Sequence, residues 1–464
     1  MRNFIILFLM LILIFLPGCR NKKAAEKEKV NAENVYDLTQ IKDSGELTVL
    51  TLYGSTSYFL YRGESMGFQY ELSEQFAKYL RVKLNVKVAN SVNDLVTKLL
   101  NGEGDIIAYN LPVTKELKEK VIYCGEDVIT HQVLVQRLKY NEKPLTDVTQ
   151  LIGKEIHVKP GKYYDRLTNL NKELGGGIII KKVENDSITV EDLITQVSQG
   201  EIALTVADND IAQLNKTYYP NLSIKLPISF DQRSSWAVRK NTPLLAEEAN
   251  KWHAQNKTTS AYKASEKKYF EISKFTPRGS ILSIQDGKIS HFDHLFKKYA
   301  QEIDWDWRLL ASLAYTESNF DTTAVSWAGA KGLMQLMPST GKAMGIPEGK
   351  EQNPEESLKA ATKYIALTAK SLSSVPDKNE RVKFILAAYN AGLGHIYDAM
   401  ALAEKYGKNK FVWADNVESF ILLKSNEEYF NDSVCKYGYF RGVQTFTFVR
   451  EITERFEYYK SKIN

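Results

Sequence analysis

Leu310, Leu313, Ala314 and Glu317 recur at i, i+3, i+4 and i+7 within Asp306 to Ser318. A helix over this stretch therefore carries Glu317 at the C-terminal end of an apolar face. Burial disfavours the charged form of a carboxyl group, and the negative end of the helix pushes the same way. Both effects raise the pKa, which is what a proton-donating acid at neutral pH requires. The same periodicity also fits an amphipathic helix ending in a surface glutamate, and spacing alone favours that plainer reading. Asp321 is the nearest alternative second acid; one helical turn beyond Glu317, it is expected to face solvent or shape a turn. The six histidines show no HExxH-type spacing, and Cys19, Cys124 and Cys435 are too few and too scattered for a zinc site or a disulfide framework. No metal and no cofactor are expected.

The residues around Glu317 supply its context. Ala314-Tyr-Thr-Glu-Ser-Asn-Phe-Asp321 is followed by Ala324-Val-Ser-Trp-Ala-Gly-Ala-Lys-Gly-Leu-Met-Gln-Leu-Met-Pro-Ser-Thr340, and later by Ala387-Ala-Tyr-Asn-Ala-Gly392. In order and separation these segments resemble the signature of the soluble-lytic-transglycosylase family. The resemblance implies a mainly α, lysozyme-like domain that cuts the glycan strands of peptidoglycan. It implies Glu317 as the catalytic acid and base, with Ser318 supporting the helix end. Ser326, Gln335, Met337, Tyr389 and Asn390 are the implied substrate-binding residues. Gly329, Gly332 and Gly392 are assigned to backbone geometry and close approach.

Ordinary glycosidases place two acids across the scissile bond. The motif here offers one, surrounded by Ser, Gln, Tyr and Asn. A single acid can protonate the leaving glycosidic oxygen and then, as a carboxylate, deprotonate the C6 hydroxyl of the same muramic acid. The implied reaction is a lyase cleavage of the MurNAc-GlcNAc β-1,4 bond that leaves a 1,6-anhydromuramic end without water. The substrate's 2-acetamido group is expected to support the oxocarbenium-like transition state. A hydrolytic muramidase is the near competitor and would need a second carboxylate. A cell-wall-binding sensor lipoprotein with weak or no catalysis is the competitor from another class. Only Phe448 favours it, because many relatives carry a tyrosine before the valine that is Val449 here. Tyr439, counted with the substrate-binding residues, would compensate if it points inward.

Upstream the pattern changes. Leu47 to Leu52, Leu84 to Val88 and Asp105 to Ala108 read as strands; Gln69 to Tyr79 and Val92 to Leu100 read as helices. Strands alternating with helices predict α/β units over a largely parallel sheet. Gly45-Glu-Leu-Thr-Val, Gly67-Phe-Gln-Tyr-Glu-Leu72, Leu99-Leu-Asn-Gly-Glu-Gly-Asp105, Val113-Thr114, Ala203-Leu-Thr-Val-Ala-Asp208 and Trp236-Ala-Val-Arg-Lys-Asn-Thr-Pro243 together resemble the family 3 solute-binding proteins of bacterial periplasms. The resemblance implies an α/β, two-lobed periplasmic-binding-protein-like domain, with crossovers near His131 to Arg137 and Ile228 to Trp236 and a ligand cleft between the lobes. Thr114 and Asp208 are its cleft candidates, although Asp208 equally fits a helix N-cap or a turn acid. Amino-acid-binding members carry an arginine three residues after the threonine, where it grips the ligand α-carboxylate. Leu117 stands there in this chain, which disfavours a free amino acid and leaves a peptide, a muropeptide or no ligand at all open for the cleft. Cys124 reads as a buried small hydrophobe.

Trp413-Ala-Asp-Asn-Val-Glu-Ser-Phe and Tyr437-Gly-Tyr-Phe-Arg-Gly442 resemble the tail of a narrower group that joins these two modules in this order. The expected division is a lipoprotein signal peptide over 1–18, a tether over 19–44, the binding domain over 45–272, a linker over 273–284 and the catalytic domain over 285–464. The fusion of a closing module to an enzyme suggests that the first modulates the second.

Composition bounds the rest. Among 464 residues, 61 Lys plus Arg against 56 Asp plus Glu leave +5, too small an excess to argue for nucleic acid, although it suits an anionic polymer such as a cell wall. The 44% hydrophobic and 25% charged fractions exclude a mostly disordered, collagenous or polytopic membrane chain. Met1-Arg2-Asn3 precedes an apolar run from Phe4 to Leu16, shorter than the about 20 residues of a spanning helix and suited to a signal-peptide core. Leu16-Pro17-Gly18-Cys19 resembles the bacterial lipobox, which implies lipidation of Cys19; Pro17 departs from its usual small residue and leaves ordinary cleavage or an uncleaved anchor open. Arg20 to Asn34 has almost nothing to bury and reads as a solvated tether. Arg20 and Asn21 are not the aspartate that marks inner-membrane retention, so the expected location is the periplasmic face of the outer membrane. The expected partners are peptidoglycan glycan strands, the ligand of the N-terminal cleft and the membrane.

Overall fold

A computed structural model of the chain describes residues 36–139, 142–185, 188–274 and 288–463. The signal peptide, Cys19 and most of the expected linker lie outside the described residues.

The first half holds β1 (Glu46–Leu52), β2 (Phe59–Tyr61), β3 (Glu64–Met66), β4 (Lys83–Ala89), β5 (Ile106–Pro112) and β6 (Val121–Thr130). It continues with β7 (Gln132–Arg137), β8 (Glu155–Val158), β9 (Ile179–Lys182), β10 (Leu204–Asp208), β11 (Leu222–Pro227) and β12 (Gln232–Arg239). Two five-stranded sheets result, ordered β4-β1-β5-β12-β6 in lobe one and β11-β7-β10-β8-β9 in lobe two. The chain crosses between them at Thr130–Gln132 and again between Pro227 and Gln232. Strands β4, β1 and β5 are parallel, as are β10, β8 and β9. The sheets are less parallel than the sequence suggests, because the crossover strands β6, β7, β11 and β12 join by antiparallel pairing. Lobe one is closed by a helix over Phe68–Leu80, whose Phe76 packs against Trp252 at 4.9 Å between ring centres.

Helical structure precedes position 45, in the stretch expected to be tether. Leu38–Ser44 is a helix opened by a capping box between Asp37 and Gln40. Its Ile41 is fully buried, and the Asp37 carboxylate also accepts the backbone amides of Leu244 and Leu245 at 3.0 and 2.9 Å. One carboxylate thus caps two helices, which fixes residues that the sequence assigns to the tether.

The second half is helical. Helices over Trp307–Ser318, Lys378–Ala391, Leu393–Lys405 and Val443–Lys462 pack around a core that includes the fully buried Leu310, Leu313, Phe384 and Ile452. Within it, the Asp398 carboxylate accepts the backbone amides of Lys436 and Tyr437, both at 2.9 Å, and pairs with the fully buried Lys424 ammonium. This buried pair pins the segment that leads to Tyr439 and Arg441.

A hairpin joins the halves. Strands β2 and β3 project from lobe one, and the Arg62 amide donates to the Ala391 carbonyl at 3.3 Å. His395 donates from Nε2 to the Leu60 carbonyl at 3.0 Å while its ring stacks on Phe440. Gly392 has φ +93°, and a Cβ there would lie 3.0 Å from the Gly63 amide nitrogen.

His395 is buried in its neutral form, and burial pulls its pKa down to about 3. The unfolded chain binds the proton near pH 6.5, so the stability this residue contributes is present above that pH and is lost as pH falls toward the folded value. The stability advantage of the wild type over His395→Gln is therefore expected to narrow as pH drops from 7 to 5, read as the difference between their denaturant midpoints. A pH-independent difference would refute the neutral, buried assignment.

Candidate active site

The helix Trp307–Ser318 starts at Asp306, whose side chain accepts the Arg308 amide at 2.9 Å. It ends at Asn319, which takes the left-handed conformation at φ +53°, followed by Phe320 at φ +63°. Two successive left-handed residues turn the chain sharply and leave Glu317 on the last turn, its side chain only 5% exposed. Ser318 Oγ donates to the Leu333 carbonyl at 2.8 Å, which ties this helix end to the Gly332–Gln335 segment.

Arg62 fills the space in front of the acid. Its Nη2 donates to both Glu317 oxygens at 3.0 Å, and its Nη1 donates to the Gln335 carbonyl at 2.7 Å. Arg62 and Gly63 form the two-residue loop of the hairpin, with φ of +51° and +83°. Positive φ at both central residues is the turn geometry that matches strand twist, and it favours Asn-Gly over Arg-Gly. The arginine costs about 1 kcal/mol there relative to a residue that tolerates this conformation; its ion pair compensates. Burial pushes the Glu317 carboxyl above the usual carboxylate range, and the Arg62 charge and hydrogen bond pull against it. Burial also lifts the Tyr389 hydroxyl well above its ordinary value, with the nearby Glu317 adding to the effect.

Several residues expected at the site brace its walls. Gln335 is buried at φ +47°, and its amide donates to the Ala324 and Gly332 carbonyls, both at 2.9 Å. Tyr389 donates to the Met334 carbonyl at 2.7 Å and packs edge-on to Tyr364. Asn390 accepts from Thr445 Oγ1 at 2.7 Å, and Met337 is buried at the start of the helix Pro338–Met344. Ser326 Oγ accepts the Ala330 amide at 3.0 Å, closing the turn that carries Trp327 against Tyr61 of the hairpin. Glu317, Gln335 and Tyr389 are thus brought together through Arg62 and the Met334–Gln335 backbone.

Tyr439 does not join them. Its hydroxyl donates to Glu191 of lobe two at 3.2 Å, so it does not compensate for the hydroxyl that Phe448 lacks. The Glu191–Arg441 ion pair beside it draws that segment toward the binding domain. Asp321 is exposed and accepts from the Thr323 amide and hydroxyl, which hold its carboxyl below the usual range. It shapes a turn, as the sequence suggests.

In the binding domain, Thr114 is an exposed N-cap that accepts the Leu117 amide at 3.2 Å. Asp208 ends β10, pairs with Lys162 and accepts from the Tyr163 hydroxyl at 3.1 Å. Both cleft candidates are therefore engaged by their own domain. Cys124 is buried and Cys435 is a free, half-buried thiol. Among the described residues no group of three or more His, Cys, Asp or Glu side chains could hold a metal ion. The residue that sequence reasoning missed is Arg62. The Gly-containing two-residue loop follows the apolar Phe59-Leu-Tyr61 but precedes the mostly polar Glu64-Ser-Met66, so the hairpin signal is weak and nothing local says where the hairpin lands.

Residues 294–412 match the family described as Transglycosylase SLT domain, and residues 47–272 match Bacterial extracellular solute-binding proteins, family 3. The chain is 31% identical over 439 residues to the membrane-bound lytic murein transglycosylase F of Desulfosudis oleivorans, covering 92% of this chain and 93% of that one. It is 32% identical over 429 residues to the protein of the same name from Aeromonas salmonicida, covering 91% and 83%. A solved ancestral cationic amino acid solute-binding protein aligns with 50% of this chain and 99% of its own, at 23% identity and a TM-score of 0.43.

The Thr445 hydroxyl is the side-chain partner of a nearly buried Asn390 amide oxygen. Thr445→Val keeps the shape and removes the donor, and is expected to cost about 1–3 kcal/mol of stability. Urea unfolding checks this; an unchanged midpoint would show that the bond does not brace the site.

Proposed function

The chain belongs to the membrane-bound lytic murein transglycosylase F family, and from that premise we propose that it cleaves peptidoglycan glycan strands with Glu317 as its single catalytic carboxylate. It is a peptidoglycan lytic transglycosylase, a carbon–oxygen lyase. The observation that carries the assignment of Glu317 is a buried helix-end acid raised above the ordinary carboxylate range, beside an Asp321 that is exposed and already engaged. As the acid, Glu317 gives its proton to the glycosidic oxygen between MurNAc and GlcNAc as the C1–O bond breaks. As the resulting carboxylate, it takes the proton of the muramic C6 hydroxyl while O6 bonds to C1. The enzyme ends as it began, no water is consumed, and the product carries a 1,6-anhydro end.

In the described conformation this acid is held by Arg62. A guanidinium bonded to both oxygens occupies the acceptor positions that substrate would meet, so the hairpin must withdraw before glycan binds. The binding domain, which supplies the hairpin, thereby modulates the enzyme. A peptide or muropeptide is the proposed ligand of that domain, supported by Leu117 in place of a carboxylate-gripping arginine. Anchoring through a lipid on Cys19 at the periplasmic face of the outer membrane is supported by the lipobox-like Leu16–Cys19 and by the membrane-bound relatives. No described helix is long and apolar enough to cross a membrane.

Mass spectrometry of products from purified peptidoglycan tests the reaction, using the chain from Asn21 and its Glu317→Gln variant. Anhydromuramic ends from the wild type and none from the variant are expected. Reducing muramic ends would establish hydrolysis, and glycan binding without product would establish a sensor. With the same assay, Arg62→Ala is expected to raise turnover several-fold; an equal or lower rate would refute the closed-site reading.

A further inference from the structure

The face of lobe one where the described chain enters gathers exposed apolar side chains. The parallel strands β4, β1 and β5 start at this face, and the helices Phe68–Leu80 and Val92–Leu100 end at it. Strand β12 is antiparallel to β5 and so finishes here, and the helix Pro243–Asn256 begins just beyond it. Contacts tie these ends together. The Asp37 carboxylate accepts the Leu244 amide at 3.0 Å, the Tyr36 hydroxyl donates to Ser44 Oγ at 3.2 Å, and the Lys83 amide donates to the Gly45 carbonyl at 2.8 Å. Arg239 Nη1 donates to the Leu99 carbonyl at 3.3 Å. On this face Tyr36, Tyr79, Leu100 and Leu244 are between 37% and 51% exposed.

The charge on it is uneven. Lys42, Arg81, Lys83 and Lys240 are exposed, and among the described residues no ion pair joins any of them to a carboxylate. Three nearby acids are already engaged: Glu46 by Asn85 at 3.0 Å, Glu248 by the Tyr79 hydroxyl at 3.0 Å and Glu103 by Lys98 at 3.1 Å. Asp43 and Glu247 are the exposed acids that stand against the four cations. Singly scattered apolar side chains need no partner. Tyrosines and leucines set among unpaired cations on one face suit a bilayer interface, where rings sit at headgroup level and cations meet anionic headgroups. Strand β1 leads away from this face to Tyr53, which meets Phe430 of the catalytic domain edge-on at 6.0 Å. Asn431 of that domain donates to the Asn90 carbonyl, just past the end of β4, at 3.4 Å. A strand the length of β1 spans about 20 Å, so lobe one stands between this face and the catalytic domain.

We propose that this face of lobe one rests on an anionic lipid surface and holds the catalytic domain on the side away from it, toward the glycan. This rests on the reading that Cys19 is lipidated, since the stretch after that residue joins the described fold at Tyr36, within the face. A chain held by a flexible tether alone is free to present any side to the membrane. A lipid chain together with a basic, partly apolar face selects one side. Each cation brought near anionic headgroups strengthens partitioning by roughly fivefold. The wall polymer is also anionic, but it offers no apolar layer for Tyr36, Leu100 and Leu244, and the bilayer is therefore the partner that fits both features.

The test is cosedimentation of the chain from Asn21, which carries no lipid, with vesicles of phosphatidylglycerol and phosphatidylcholine. Retention is expected on these and not on phosphatidylcholine alone, and it should fall as salt rises. Arg81→Glu with Lys83→Glu is expected to lower the partition coefficient roughly tenfold or more, and Leu244→Ser several-fold. The same charge change on the catalytic domain, Lys408→Glu with Lys462→Glu, is expected to leave retention nearly unchanged. The tether is identical in every variant, so its own lysines do not account for the difference. Turnover of peptidoglycan without vesicles should match the wild type throughout, which shows that each variant is folded. Should the first pair not fold, Lys42→Glu with Lys240→Glu takes its place. No retention of the wild type, or equal losses from the lobe-one and catalytic-domain pairs, overturns the proposal. So does a lobe-one pair that loses binding to isolated peptidoglycan while keeping its hold on vesicles, which assigns the face to the wall. Incorporation of labelled palmitate into the full chain, abolished by Cys19→Ser, tests the anchor separately, so the face and the anchor stand or fall independently.

Discussion

The contact between Arg62 and Glu317 decides how the two halves of this protein depend on each other. Each ion is desolvated where it stands, with side chains 10% and 5% exposed. Removing one partner from a buried pair typically costs about 3–5 kcal/mol, because the other is left charged without compensation. The hairpin therefore cannot leave Glu317 at no cost unless water or substrate follows it. That makes the closed cleft a defined state, and it explains why an arginine is tolerated at a turn position better suited to asparagine. The strain of the turn and the burial of the acid are each local penalties, and the two meet at this pair.

The walls around the pair are built from side chains that serve the backbone. Gln335, Tyr389 and Ser318 all satisfy main-chain carbonyls in the segments flanking the acid. Such bonds hold loops that cannot be regular, since Gln335, Asn319 and Phe320 all have positive φ. An acid that must meet one oxygen and then one hydroxyl benefits from walls that do not rearrange between the two steps.

What could be read from the sequence follows the range of the interactions involved. The helix bearing Glu317 is legible because its apolar spacing and the Asp306 cap act within a few residues. The lobe-one strands are legible for the same reason, as is the turn role of Asp321. The helix Leu38–Ser44 carries its own signal in Asp37 and Gln40, but seven residues with one buried side chain give little periodicity beside a polar tether. Tyr439 was beyond reach, because its partner Glu191 is 248 residues away. Arg62 and Glu317 are 255 residues apart, and their meeting depends on how two separately folded cores dock. Local patterning specifies each core; it does not specify the seam.

The seam also bears on the state of the acid. In the closed form the Arg62 charge and hydrogen bond pull the Glu317 carboxyl down, against a burial effect that still leaves it above the usual carboxylate range. When the guanidinium withdraws, the lowering influence goes with it, while the apolar helix face and the helix end still disfavour the charge. Withdrawal therefore shifts Glu317 toward the protonated form that the first step requires. Because no second carboxylate shares the work, the protonation of this one group sets whether the enzyme can start. In the proposed reading, a single positive charge delivered on a hairpin from the neighbouring domain bears directly on that group.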